Sequence, residues 1–249
     1  MERRNAEPGL VDGMTADLGG PRTTALLEKL QAAVPWARLA APLRGLYKSA
    51  EQELPKGGRP YWGPTLMLKC LMLAKWFGLS DPQLEECLRD RFSFRHFVGL
   101  SFTDQTPDET TFVVFRRRLR QAGMDRTLFD AALKHLEGQG LLVKEGTMVD
   151  AMIVEAPRGK KRQDGSSTRD ADAAYTVKHG RTYHGYKGHI AADRSGIVTD
   201  YRFSAANHHD SRYIDELTEK EKEAVIADSA YSDESRRRRR RSRGVIDGI

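Results

Sequence analysis

Residues 147–154 read Thr-Met-Val-Asp-Ala-Met-Ile-Val, a short and nearly continuous apolar run that contains one aspartate, Asp150. An apolar run of this length predicts a buried β-strand. An ionised carboxylate within a buried strand costs several kcal/mol unless it is paired, hydrogen-bonded or bound to a cation. The run therefore predicts a sheet at this point of the chain and, in Asp150, a carboxylate with a function.

Downstream of this run the sequence predicts a mixed α/β sheet. Strand-like segments follow at residues 183–192, 197–205 and 224–227, and again from Val245. The turn Asp193-Arg194-Ser195-Gly196 favours a hairpin between the first two of these segments. Residues 210–222 are polar and compatible with a helix. A hairpin, a helix and then a buried strand are typical of a mixed sheet.

Asp228 ends the apolar run 224–227 and so repeats the situation of Asp150. Two aspartates placed by buried strands could meet at the centre of one sheet, where their charges would repel unless a divalent cation lay between them. Ligands that are all oxygen suit Mg²⁺ or Mn²⁺. Such ions could activate a water or a 3′-hydroxyl and stabilise the leaving oxygen of a phosphodiester. The alternative, that each aspartate is a helix cap or turn residue, stays open at this point.

The chain upstream of residue 141 has the apolar spacing and the end signals of helices. Thr23 and Thr24 are the predicted caps of a first helix, and Ser80 and Thr106 each begin a capping box of a later one. The change of pattern at residue 141 predicts a helical region followed by a sheet.

The net charge of +6 depends on one feature, the six consecutive arginines Arg236–Arg241. Without them the chain has 35 basic and 35 acidic residues, so overall basicity does not argue for nucleic acid binding. Three interpretations of the run stay open: a contact with DNA or RNA, a solvated helix face, or repetitive codons that mark a frame shift. The last is our preferred hypothesis. Like charges along a helix repel each other, which argues against a stable solvated helix face.

Local clusters of cations make a better case for binding DNA phosphates. The candidate residues are Arg116, Arg117, Arg118 and Arg120 on one predicted helix, and Arg158, Lys160, Lys161 and Arg162 on the loop that leaves the Asp150 strand. A solvated basic face is the alternative for the helix cluster.

Several classes of protein are disfavoured. The most apolar stretch, residues 66–77, is short and contains two lysines, so it predicts a core helix rather than a membrane span. No apolar run near the N-terminus resembles a signal peptide. Cys70 and Cys87 lie in separate helical patterns without metal-ligand spacing, which is typical of a reduced cytosolic protein.

Four motifs in a fixed order resemble those of bacterial insertion-sequence transposases of the DDE superfamily, specifically family five. The motifs are Thr147-Met148-Val149-Asp150-Ala151, Gly185-Tyr186-Lys187-Gly188-His189-Ile190, Ala205-Ala206-Asn207-His208-His209-Asp210 and Ala227-Asp228-Ser229-Ala230-Tyr231. The helical half, including residues 104–118, is similar to the domain that precedes the catalytic one in that family. The resemblance extends over nearly the whole chain from about Met14.

This resemblance implies an α+β protein in three parts: a disordered extension at 1–20, an all-helical DNA-binding domain at 21–140, and a ribonuclease-H-like mixed sheet domain at 141–249 with a polar basic loop at 156–181. It implies that Asp150 and Asp228 bind Mg²⁺ (or Mn²⁺) for DNA strand cleavage and strand transfer. The implied partners are terminal inverted repeats, target DNA and further copies of the chain on DNA, without a membrane, in the cytoplasm at the nucleoid.

The family also implies a third carboxylate, a glutamate on a helix after the fifth strand. The sequence departs from this pattern because it ends at Ile249, and neither Glu234 nor Asp247 has the expected position. We therefore expect a sheet domain that is incomplete at its C-terminus and a chain that is inactive alone. The first hypothesis is a transposase whose glutamate is separated from this chain by a frame shift. The alternatives are a truncated DNA-binding inhibitor of transposition and a metal-dependent nuclease of the same fold.

Overall fold

The computed structural model describes residues 22–47, 60–143, 145–160 and 167–249. The chain divides into two compact units, Met1–Lys134 and His135–Ile249. Helices make up the described part of the first unit and a mixed sheet with short helices makes up most of the second, which confirms the predicted fold class. The expected extension at 1–20 lies outside the described residues. None of the described helices is long and apolar enough to span a membrane.

The helices of the first unit carry end signals that are readable in the sequence. They are α1 (Arg22–Ala33), α2 (Trp36–Ala40) with the 3₁₀ helix Ala41–Arg44, α3 (Pro64–Phe77), α4 (Asp81–Asp90), α5 (Phe92–Val98), α6 (Glu109–Gln121) and α7 (Met124–Gly138). The capping box at Ser80 is confirmed, because Ser80 N–H donates to Gln83 Oε1 at 2.9 Å.

Two predicted helix starts are wrong. Helix α1 begins at Arg22, so Thr23 and Thr24 lie in its first turn rather than capping it. Helix α6 is capped by Asp108, whose Oδ1 accepts from Thr111 N–H at 2.7 Å, and not by Thr106. Both errors arise because serine, threonine and aspartate are all competent caps, so a cluster of them does not fix which one is used.

The helical core is built around fully buried aromatic and aliphatic side chains, among them Leu73, Leu84, Phe94, Phe97 and Phe112. A buried guanidinium lies at its edge. Arg95 on α5 donates to main-chain carbonyls of Leu88 (3.1 Å), Ser101 (3.1 Å), Phe102 (3.1 Å) and Asp104 (2.7 Å). These bonds fix the loop that leads from α5 towards α6.

Lys69 is buried in the same core, where its ammonium donates to Phe97 O at 2.8 Å. Burial lowers its pKa from 10.5 to about 8. Between these values the unfolded chain holds a proton that the folded unit has released, so stability should rise with pH. Burial also raises the pKa of Cys70 above its ordinary 9.0. Above pH 9 the unfolded chain therefore releases a proton that the folded unit keeps, and this lowers the stability as the pH rises.

We therefore expect the free energy of unfolding of the helical unit to rise by about 1 kcal/mol from pH 8 to pH 9, and Lys69→Met to lack this rise. Urea unfolding followed by tryptophan fluorescence measures it, because Trp36, Trp62 and Trp76 all lie in this unit. Parallel pH profiles for the two proteins would contradict the assignment to Lys69.

The sheet of the second unit has the order β4-β3-β1-β5-β6, with β2 on the early part of β3. The strands are β1 (Thr147–Glu155), β2 (Ala174–Lys178), β3 (Arg181–Ala192), β4 (Val198–Ala205), β5 (Ala224–Ala227) and β6 (Ile246–Gly248). Strands β1, β3 and β4 pair antiparallel, whereas β5 and β6 continue the sheet in parallel. The predicted helix at 210–222 is shorter than expected: a 3₁₀ turn at Asp210–Arg212 and α8 (Ile214–Leu217).

The two faces of this sheet are covered unequally. On one face Val149 and Val225 are buried against Ile214, Tyr231 and Val245. The opposite face, which we call the open face, presents large apolar side chains to solvent. They are Met152 (52% exposed), Val154, Phe203 (63%), Ile226 and Ile246 (69%). Within the described residues, the core of this unit therefore lies on the face of Val149 and Val225.

The segment 156–181, expected to be a loop, contains β2, which forms a hairpin with β3. His179 and Gly180 connect the strands and both have positive φ, 51° and 74°. This is the signature of a type I′ turn, which matches the twist of a hairpin. Further along β3, a Cβ on Gly185 would lie 2.1 Å from the carbonyl oxygen of Val154, so only glycine fits there.

The arginine run forms the body of α9 (Glu234–Ser242), which connects the parallel strands β5 and β6. Most of its guanidinium groups are paired with acids. Arg236 and Arg239 contact Asp215, Arg237 and Arg240 contact Asp247, and Arg238 contacts Glu234. These acids offset the repulsion expected along the helix, so the structure adds an interpretation that the sequence missed: a connecting helix held by ion pairs.

Candidate functional site

Asp150 and Asp228 occupy equivalent positions on adjacent parallel strands. The last matched pair in the register of β1 and β5 is Val149 with Ala227, and each aspartate is the next residue. Side chains alternate between the faces of a sheet, and neighbouring strands lie about 4.8 Å apart. Asp150 therefore belongs to the open face, and Asp228 directly follows the neighbouring strand position.

The burial that the sequence predicts for Asp150 is wrong. Its side chain is exposed, as are its neighbours on the same face, Met152 and Val154. The apolar run that surrounds Asp150 indicated a strand covered on both faces, whereas only the face of Val149 is covered. Solvation by water therefore accounts for a carboxyl side chain at this position without any cation, and the argument for a metal depends on the neighbouring position of Asp228.

Asp228 caps the 3₁₀ turn Ser229–Tyr231, so the turn-residue alternative describes part of its role. Its Oδ1 accepts from Ala230 N–H at 3.1 Å and from Ser229 Oγ at 3.0 Å. These hydrogen bonds, Ala230 first, lower the pKa of the Asp228 carboxyl, with a smaller contribution from the charge of Lys178. Asp228 is therefore ionised at neutral pH, in a conformation fixed by its own turn.

Three further residues at or beside this turn were not predicted as site residues: Tyr231, which ends it, and the ion pair of Lys187 with Asp210. Tyr231 is buried, and burial raises the pKa of its phenol together with the nearby charges of Asp210, Asp150 and Asp228. Lys187 Nζ lies 2.8 Å from Asp210 Oδ1 and donates to His208 O at 2.9 Å. This ion pair links β3 to the 3₁₀ turn at Asp210, which packs against the turn of Asp228.

Two histidines of the motifs, His189 and His209, have contacts within the fold. His189 is buried, lies 2.9 Å from Ser204 Oγ through Nε2 and packs against the ring of Tyr213. Burial lowers the pKa of His189. His209 Nδ1 lies 2.8 Å from Ser211 Oγ within its own turn.

A third ligand is not part of the site that the structure describes. Among residues 22–47, 60–143, 145–160 and 167–249, no group of three or more His, Cys, Asp or Glu side chains is arranged to hold a metal ion. The buried Asp247 is occupied by Arg237 and Arg240, and the exposed Glu234 begins α9. The candidate ligands among the described residues are therefore the two aspartates, Asp150 and Asp228.

The candidate DNA-binding residues differ in their contacts. On α6, Arg117, Arg118 and Arg120 are exposed, whereas Arg116 forms two hydrogen bonds to the carboxylate of Asp81. Beyond β1, Arg158 donates to Thr182 O at 2.8 Å and Lys160 is exposed. Lys161 and Arg162 lie outside the described residues.

Two family models match the chain over most of its length. A model described as "Transposase domain (DUF772)" matches residues 20–118, and one described as "Transposase DDE domain" matches residues 142–246. The chain belongs to the DDE transposases. Asp150 and Asp228 of this transposase both lie within the second match. Assignment to insertion-sequence family five stays a prediction.

A chain of the Mos1 strand transfer complex is a structural neighbour of the transposase. The two share 13% sequence identity and a TM-score of 0.25, over 95% of this chain and 70% of the other. A likeness of this strength supports no argument about the transposase, whose assignment depends on the two family models.

Proposed function

We propose that Asp150 and Asp228 hold Mg²⁺ or Mn²⁺ for DNA strand cleavage and strand transfer. The observation that carries this proposal is their equivalent position on parallel strands, one residue beyond the pair Val149 and Ala227. Carboxylates at neighbouring positions repel, and a divalent cation that prefers oxygen ligands removes the repulsion. The donor set therefore fits such an ion, although the pair offers fewer ligands than a complete protein site.

When bound, the metal would activate a hydroxyl nucleophile and stabilise the leaving oxygen of a phosphodiester. The residues of this chain have the task of presenting carboxylate oxygens in a fixed arrangement. Asp150 is fixed by the ladder between β1 and β3, and Asp228 by its 3₁₀ turn. The lowered pKa of Asp228 keeps that carboxylate ionised without a cation.

We infer that the DNA includes the terminal inverted repeats of the element and the target, contacted by cations of both units. Those of the helical unit are Arg117, Arg118 and Arg120, with Arg116 if it leaves Asp81; those of the sheet unit are Arg158, Lys160, Lys161 and Arg162. Oligomerisation on DNA ends, location at the nucleoid and the domain limits 21–140 and 141–249 belong to the same proposal.

A second candidate function is a DNA-binding inhibitor that occupies the ends of the element without cutting them. The observation in its favour is that only two carboxylates are gathered within the described residues. On this basis we infer that the chain alone has little activity. Cleavage of labelled element ends by the 249-residue chain in Mg²⁺ would contradict the inhibitor and the inference of inactivity together.

The metal proposal is tested by Mn²⁺ binding, followed by electron paramagnetic resonance of the free ion. Even outer partners of a metal are worth about 10- to 100-fold in affinity, so Asp150→Asn and Asp228→Asn should each weaken binding by at least about tenfold. Asp172→Asn, which removes another exposed carboxylate of the same unit, is the matched control and should bind as the wild type does. Equal affinity in all four proteins would overturn the proposal.

A further inference from the structure

The hairpin of β2 and β3 has a composition unlike the rest of the chain. From Ala173 to Ala192 there is no aspartate or glutamate, although acids make up 35 of the 249 residues. The same stretch contains Lys178, Arg181 and Lys187 together with three tyrosines. A cationic segment with interleaved aromatic residues favours contact with a polyanion.

The structure places the basic end of this segment in solvent. Every residue from Lys178 to Thr182 is exposed, and Val177 on β2 is 68% exposed. Within the described part of the chain neither Lys178 nor Arg181 forms an ion pair, whereas Lys187, further along β3, is paired with Asp210. The two cations nearest the tip therefore have no salt-bridge partner among the described residues.

Neighbouring cations extend this surface along the hairpin. Arg158 is fixed on β3 by its bond to Thr182 O, and Arg169 donates to Arg158 O at 3.0 Å while its guanidinium lies 5.6 Å from the ring centre of Tyr175. Arg181 lies similarly, 5.3 Å from the ring of Tyr183. Guanidinium groups stacked on rings keep their edges available for phosphate oxygens.

The hairpin also has a fixed relation to the two aspartates. It extends β3 beyond the end of β1, and the same strand β3 pairs through Ile190 with Asp150. A polyanion lying along the hairpin would thus pass near the carboxylate pair.

We propose that the hairpin β2–β3 is a two-stranded ribbon that contacts double-stranded DNA beside the scissile phosphate, with Lys178 and Arg181 on backbone phosphates. The inference rests on the proposed function. A ribbon of two strands fits the major groove, which is about 12 Å wide, and the type I′ turn puts His179 and Gly180 at its leading end.

The test measures binding of the full chain to a short fluorescein-labelled duplex of arbitrary sequence by anisotropy at several salt concentrations. In the double variant Lys178→Ala, Arg181→Ala the salt dependence of log K should fall by about 1.8, since each lost phosphate contact is worth about 0.9. At about 0.1 M salt this corresponds to at least about tenfold weaker binding. The exchange Lys178→Arg with Arg181→Lys keeps both charges and should restore the affinity.

The matched control is Lys220→Ala with Lys222→Ala, which removes the same charge from exposed positions before β5, at the end of that strand opposite Asp228. It should bind DNA with wild-type affinity, and circular dichroism should show that both double variants remain folded. An equal loss of affinity in the hairpin and control variants, or no loss in either, would overturn this inference and leave the proposed function untouched. A wild-type chain that does not bind the duplex would overturn the DNA-binding part of the proposed function as well.

Discussion

Asp247→Ala is expected to lower the free energy of unfolding of the sheet unit by about 3–5 kcal/mol, because it leaves a buried guanidinium without its partner. Asp247 accepts from Arg240 at 2.7 Å and from Arg237 at 3.0 Å. The side chains of Asp247 and Arg240 are 6% and 9% exposed, so water cannot replace the lost carboxylate. The edge strand β6 and helix α9 should separate from the sheet first.

The matched control for this prediction is Asp215→Ala. Asp215 also accepts from two arginines of α9, Arg236 and Arg239, but it is 51% exposed. Pairs in solvent are worth about 1 kcal/mol or less, so this variant should be nearly as stable as the wild type. Because the sheet unit contains no tryptophan, the difference between the two variants is measured by amide hydrogen exchange of β5 and β6. Equal protection in the two variants would show that the Asp247 pairs contribute no more than surface ones.

Arg95→Met is expected to lower the free energy of unfolding of the helical unit by at least about 3 kcal/mol. The guanidinium is 6% exposed and donates to carbonyls of four residues, Leu88, Ser101, Phe102 and Asp104. Methionine keeps much of the packing volume but leaves these acceptors without their donor. Arg95→Lys should recover little, since an ammonium cannot reach the same set of carbonyls as a planar fork.

Urea unfolding followed by tryptophan fluorescence isolates this effect. The control is the same substitution at Arg89, a residue whose side chain is 67% exposed and whose pair with Glu85 spans one helical turn. Such a pair contributes about 0.3–0.5 kcal/mol, so Arg89→Met should unfold close to the wild type. Unfolding of Arg95→Met at the same urea concentration as Arg89→Met would refute the role given to the buried guanidinium.

The elements that could be predicted from the sequence are those whose signals are local. The run 147–154 became β1, the turn at 193–196 joined β3 to β4, and Ser80 capped α4. In each case the residues that define the element also supply its main energetic contribution, by apolar burial or a hydrogen bond within a few positions.

The elements that the sequence missed depend on partners outside the element itself. Strand β2 has only five residues, lies in a polar segment, and exists because β3 pairs with it. Helix α9 has no apolar face, and four of its arginines are paired with Asp215 and Asp247, which lie outside the helix. Local propensity contains no information about these contacts, since tertiary context supplies them.

The strand positions of the two candidate aspartates could be predicted from the sequence, but their environment could not. Neighbouring positions for Asp150 and Asp228 follow from two apolar runs that end in the same sheet, and the register agrees. Exposure of Asp150 could not be predicted, because an apolar run reports the strand and not which of its faces is covered. Tyr231 and the pair Lys187–Asp210 were missed because a tyrosine or an ion pair gives no periodic signal.

Gly185 has a consequence for recognising other chains built in this way. A Cβ there would meet the main chain of Val154, so the approach of β1 to β3 beside the hairpin excludes all other side chains. Substitution libraries should accept only glycine at position 185 while tolerating most residues at exposed Thr182. Among homologous transposases, a glycine at this spacing after the first aspartate would then mark those that possess the hairpin β2–β3.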